Sequence, residues 1–387
     1  MADFINRIIE AQVVESLKHN YVTAILGPRQ CGKSTLARQI AKNFPDSIFI
    51  DLERNSDLAR LEDAEWFLSL QRGKLICIDE IQRKPDLFPL LRSLTDEWDY
   101  NGAFLVLGSA SRDLIKQSSE TLAGRISYHT LTPFLWSEVE SITDMEKYYA
   151  QGGFPRSLLT PAPSVSFRWR ENFISTFLER DLMQWAGFSP PTMRKLWQML
   201  AHTHGETTNL SMFAKSLGVS DTTVKNYIDL LQETFMVVSL PPYISNLGKR
   251  LVRSPKIYIA DSGITAALLG LRDFTRIAGH PVSGSLWEQM VLTNLKGAFE
   301  EAEFFFYRTA GGAEMDIVMK YYDKVIAIEC KSTYSPSLSK GNHHAIEDIN
   351  PIMTFIAAPV ASGWPLKPKI EVVSLTELII KIKEIIT

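Results

Sequence analysis

The sequence predicts an α/β protein: a parallel sheet with a glycine-rich loop, then a helical region, then a second α/β domain. Three observations carry this. Short apolar runs alternate with helical patterns over the first 140 residues, as strands and crossover helices do in a parallel sheet. Gly27-Pro28-Arg29-Gln30-Cys31-Gly32-Lys33-Ser34 lies between one such run and one such helix. Near the C-terminus, three β-forming runs separated by tight turns follow a long helical pattern, and acidic residues break their apolar rhythm.

Length and composition agree. At 387 residues the chain has room for two or three domains, and 45% hydrophobic with 22% charged residues suits a globular core. The net charge of −3 gives no global basic field, so charge has to be read locally. Cys31, Cys77 and Cys330 are too few and too far apart for a disulfide framework or a metal knot, which points to a reducing, cytosolic compartment. The charged N-terminal helix is not a signal peptide, and the longest uncharged run contains Pro351, Pro359 and Pro365, so no membrane association is expected.

The first motif is G-x-x-x-x-G-K-[ST] in a strand–loop–helix context. Backbone N–H groups from Gly27 to Thr35 would wrap phosphates, helped by the positive N-terminal end of the helix. Lys33 would neutralise the β- and γ-phosphates of ATP, and the Ser34 hydroxyl would sit on Mg²⁺. The run "KLICIDE" ends in Asp79 and Glu80, where the first can hold the Mg²⁺ shell and the second can polarise water. In "AFLVLGSAS", Ser109 closes a strand where it can orient that water. With "SIFIDLE" and "ISYHTLTPF" these make five strands, with the ligand at their C-terminal ends.

On these motifs, residues 1–140 resemble an AAA-type P-loop ATPase. The resemblance implies ATP and Mg²⁺ as cofactors, homo-oligomers, and an arginine that meets the γ-phosphate from a neighbouring subunit or from a lid. Arg125 is the first candidate for it, with Arg156 and Arg180 as others.

Residues 141–190 read as a helical lid over the nucleotide. Residues 191–262 carry three helical patterns, with Gly218 at a turn and Ser220 as an N-cap, followed by "FMVVSLPPY" and "KIYIAD" as strands. This is a helix-turn-helix pattern with wings, a winged helix. Thr222, Thr223, Lys225 and Asn226 would form its exposed recognition face. Over residues 191–260, eight basic residues (Arg194, Lys195, Lys215, Lys225, Lys249, Arg250, Arg253, Lys256) stand against four acids (Glu206, Asp221, Asp229, Glu233), which makes DNA the expected partner.

In residues 263–387, Glu314 and Asp316 share a face of one strand, and Glu329 and Lys331 share a face of the next. An Asp, then thirteen residues later an E-x-K, behind a helix bearing Glu288, resembles the PD-(D/E)xK nuclease core, also called restriction-endonuclease-like. That resemblance implies Mg²⁺ on Asp316 and Glu329, Glu288 completing the acidic cluster, and Lys331 positioning water. Met315 stands where the family has proline before the Asp.

The whole order resembles a widespread prokaryotic family in which an AAA-type ATPase and a winged helix precede a nuclease-like domain of unassigned function. "GGFPR", "FLERDL", "LPPY", "KIYIADSG" and "FYRTAGGAEMDIV" share its texture. The expectation is an Mg²⁺-dependent ATPase acting on or gated by DNA. The alternatives are a nucleotide switch that binds a protein partner with a dead nuclease fold, or an ATP-regulated endonuclease.

Overall fold

A computed structural model describes residues 4–109, 121–181, 188–244 and 252–387, the side chains of 180 and 181 excepted. The chain divides into two units, Met1–Phe134 with Glu233–Phe235, and Leu135–Gln232 with Met236–Thr387. The three segments expected after residue 140 all fall in the second unit.

In the first unit, strands β1 (Val22–Leu26), β2 (Ile48–Asp51), β3 (Ile76–Asp79), β4 (Phe104–Gly108) and β5 (Ile126–Thr130) form one sheet in the order β2-β3-β4-β1-β5. Every pairing is parallel, so all five C-terminal ends emerge along one edge. The unbroken apolar runs follow from burial of both faces. Ala24, Leu26, Ile76, Ile78, Phe104 and Val106 pack on one side with Leu91 and Leu94 of the helix Leu87–Trp98. Ile25, Cys77, Leu105 and Leu107 face the other way, against Val13 and Leu17 of the helix Ile9–His19 and Leu36 and Ile40 of the helix Lys33–Ala41.

The second unit begins with helices, among them Met145–Gln151 and Pro163–Thr176. The helices Pro190–His202, Leu210–Leu217 and Asp221–Glu233 then share a core of Leu196, Trp197, Phe213, Val224 and Leu231. Gly218 ends the middle helix at φ 68°, and the Ser220 hydroxyl caps the next by accepting the Thr223 N–H at 3.1 Å. β6 (Val237–Leu240) and β7 (Lys256–Ile259) follow as an antiparallel pair.

Two of the quoted phrases turn out to be halves of one joint. Gly152 adopts φ 72°, and a Cβ there would lie 2.1 Å from Asp261 Oδ1. Asp261 accepts the N–H groups of Gly153 (2.7 Å) and Ile264 (2.9 Å). Buried Arg170 closes the joint from the helix Pro163–Thr176, donating to the carbonyls of Ala150 and Gly263.

The C-terminal part sets the helix Ser283–Ala298 beside a mixed six-stranded sheet. Its strands are β8 (Glu303–Arg308), β9 (Glu314–Tyr321), β10 (Lys324–Cys330), β11 (Met353–Ala357), β12 (Trp364–Lys367) and β13 (Ile370–Val373), in the order β12-β13-β11-β10-β9-β8. β8, β9 and β10 pair antiparallel, and β10, β11 and β13 parallel. Among the described residues, no helix is long and apolar enough to cross a membrane.

Candidate functional site

The glycine-rich loop leaves β1 at the C-terminal edge of the first sheet. Its path demands glycine at its start: Gly27 has φ 154°, and a Cβ would lie 2.1 Å from the Leu131 carbonyl oxygen. Gln30 (φ 62°) and Gly32 (φ 106°) continue the left-handed turns that point successive N–H groups inward. Lys33 opens the helix, and its buried ammonium donates to the carbonyls of Gly27 and Pro28, both at 2.9 Å. Those are weak partners for a full charge, so phosphate oxygens can displace them.

Ser34 Oγ donates to Asp79 Oδ2 at 2.5 Å, joining the helix start to the end of β3. Burial raises the Asp79 carboxyl above the usual carboxylate range, and the Ser34 hydrogen bond works against that rise. A hydroxyl and a buried carboxylate facing each other beside the phosphate loop are the donor set that Mg²⁺ takes, and these two residues fit it.

Glu80 follows in the left-handed region at φ 55°, a strained backbone for a non-glycine residue. Its carboxylate accepts from Ser109 Oγ at 3.3 Å and from the amide of Gln82, which also donates to Ser109 at 2.8 Å. The structure thus brings Lys33, Ser34, Asp79, Glu80 and Ser109 to one edge, with Gln82 closing a triangle. Sequence reading missed Gln82; its position two residues past Glu80 was the available signal. It also missed Arg7, whose guanidinium holds the loop from behind through the carbonyls of Cys31 (3.1 Å) and Thr132 (2.6 Å). Cys31 is buried behind the loop, Arg29 pairs with Glu53 at 3.5 Å, and Thr35 is exposed on the helix.

Arg125 does not belong to this edge. It precedes β5, so it lies at the N-terminal end of a parallel strand, about 17 Å of chain from the C-terminal end. It is also bound to Asp96 at 2.6 Å. Arg156 is exposed in the second unit, and the Arg180 side chain lies outside the described residues.

In the second unit, Glu288, Glu314 and Asp316 gather around the ammonium of Lys256, and Glu329 lies close enough to feel the charges of Asp316 and Glu288. Lys256 Nζ lies 2.8 Å from Glu288 Oε1 and 3.7 Å from both Glu314 Oε1 and Asp316 Oδ1. Its side chain is 4% exposed, which removes it from the basic surface assigned to it. Burial works against its charge, yet Glu288 and Asp316 hold its pKa above the ordinary lysine value. Glu288 also accepts the Tyr258 O–H, and Asp316 Oδ2 accepts the Cys330 N–H at 2.9 Å. Burial, reinforced by Asp316, pushes Glu288 up to about 7 and Glu329 up to about 8. Lys331 lies just past the end of β10 and folds back onto Glu329 Oε1 at 2.6 Å. Among the described residues no three His, Cys, Asp or Glu side chains are arranged to hold a metal ion. The Mg²⁺ expected on this cluster therefore does not fit, because a lysine already fills it.

Residues 19–140 match the family described as "AAA domain". Residues 142–275 and 283–378 match two domains of unknown function, DUF8612 and DUF4143. The chain is 38% identical over 370 residues to uncharacterized protein Rv2008c of Mycobacterium tuberculosis, covering 95% of this chain and 83% of that protein. The same figures hold for uncharacterized protein Mb2031c of Mycobacterium bovis. In solved structures, the Walker-type ATPase PABY2304 of Pyrococcus abyssi shares the fold at 17% identity, with a TM-score of 0.51 over 69% of this chain and 96% of that one. The chain belongs to the family of these two mycobacterial proteins, and its first unit is an ATP-binding P-loop domain of the AAA type.

Proposed function

We propose that the protein is an Mg²⁺-dependent ATPase whose nucleotide cycle is coupled to DNA held by its second unit. The observation that carries the hydrolytic half is the convergence of Lys33, the Ser34–Asp79 pair and the Glu80–Gln82–Ser109 triangle on one sheet edge. Ser34 and Asp79 would hold Mg²⁺, which when bound spreads the phosphate charge. Lys33 leaves its loop carbonyls for phosphate oxygens. Glu80 polarises the attacking water, and Gln82 and Ser109 fix the carboxylate that does so.

The DNA half rests on the three helices and the β6–β7 pair, read as a winged helix. Thr222, Lys225 and Asn226 are exposed on the helix Asp221–Glu233, with Thr223 half-buried beside them. Lys195, Lys215 and Arg253 are exposed nearby in sequence, whereas Lys249 and Arg250 lie outside the described residues. The test is ATP turnover with and without single-stranded, duplex and branched DNA, across a salt series. DNA should stimulate turnover, and Lys225→Glu should weaken binding and flatten its salt dependence. Turnover indifferent to all three DNAs would instead favour a nucleotide switch acting on a protein partner. The lysine-filled acidic cluster favours that second reading over an active endonuclease.

A further inference from the structure

We infer that Lys256 is the resident cation of the acidic cluster, occupying the place a divalent metal would need, so that this sheet is built to be metal-free. The lysine does not come from the strands that carry the acids. It enters from β7, whose backbone is fixed by pairing with β6 and by a bridge to Thr207. One ammonium meets Glu288, Glu314 and Asp316 together, and it also lies over the Phe306 ring, 5.5 Å from its centroid.

Several of the cluster's oxygens are already engaged. Glu288 Oε1 also holds Tyr258, Asp316 Oδ2 holds the Cys330 amide, and Glu329 Oε1 holds Lys331. Glu329 Oε2 is buried with no hydrogen-bond partner among the described residues, and no three of these carboxylates are arranged to hold a metal ion. A bound Mg²⁺ or Mn²⁺ would sit within contact range of a buried ammonium and be repelled by it. A lysine tethered to a paired strand cannot dissociate as an ion can, so the carboxylates keep a positive partner whether or not metal is present. The arrangement also ties β7 to β9 by ion pairs and to the helix Ser283–Ala298 by an ion pair and hydrogen bonds.

This inference is independent of the nucleotide reading, and its test removes the P-loop site first. In a Lys33→Ala background, Mn²⁺ should leave the melting temperature unchanged. Adding Lys256→Met should lower the melting temperature without metal and create a Mn²⁺-dependent rise of at least about 4 °C. A further Asp316→Asn should abolish that rise. Mn²⁺ stabilisation of Lys33→Ala alone that Asp316→Asn removes would overturn the inference. So would a folded Lys256→Met that gains no metal response. If Lys256→Met does not fold, Lys256→Met with Glu288→Gln removes opposite charges together and should restore folding; failure of that pair would equally overturn it.

Discussion

The two clusters of the molecule use the same ingredients and dispose of them differently. In the first unit, Lys33 rests on two neutral carbonyls of its own loop, and the carboxylates of Asp79 and Glu80 are held by hydroxyl and amide groups. In the second, Lys256 rests directly on carboxylates. A charge parked on carbonyls is available to a ligand; a charge locked into opposite charges is not. The first cluster is therefore open to an anionic ligand, and the second is closed on itself.

The largest expected break of the first cluster is Gly27→Ala. The added methyl meets the Leu131 carbonyl, so the loop must move; ATP binding should vanish and stability fall by about 3 kcal/mol in urea titration. Lys33→Ala should weaken ATP binding about 100-fold in calorimetry while leaving the urea midpoint nearly unchanged, because only carbonyls lose a partner. An equal loss of folding stability would show that Lys33 is as structural as Lys256.

pH sharpens the contrast. His204 is buried and packs edge-on to Tyr258. Burial lowers its pKa to about 4. The unfolded chain therefore takes up a proton first as pH falls, and stability is lost between about pH 6.5 and about pH 4, by up to about 3 kcal/mol. Glu288 and Glu329, raised above the carboxylate range, push the other way as pH rises from about 4.5. Subtracting the unfolding curve of His204→Phe should isolate the acid-side loss; identical curves would refute it. The smallest effect is at Gln82→Ala, about 10-fold in kcat with KM unchanged, since Glu80 loses its brace and not its charge.

What could be read in advance follows the same line. The P-loop, Asp79, Glu80 and the five-stranded sheet were legible because their signals are local: a spacing, a strand end, an apolar run. Glu288, Asp316 and Glu329 were legible as a convergence because strand alternation sets which residues share a face. Lys256 was not, because "KIYIAD" reads as a strand whose first residue belongs to solvent, and only tertiary packing turns it toward Glu288. The placement of Arg125 was not legible for a related reason: a position in the motif order does not reveal which end of a strand a residue occupies. Arg7 acts through hydrogen bonds to distant backbone carbonyls that leave no pattern in the sequence, and Gln82 leaves only its spacing from Glu80.

The central claim is that the first unit hydrolyses ATP through Glu80. Phosphate release from pre-bound ATP by Glu80→Gln, in a single turnover, tests it most directly. Removing the negative carboxylate while keeping its shape should leave ATP bound with wild-type affinity and slow release by about 100-fold or more. Release at the wild-type rate from Glu80→Gln, with ATP fully bound, would contradict it.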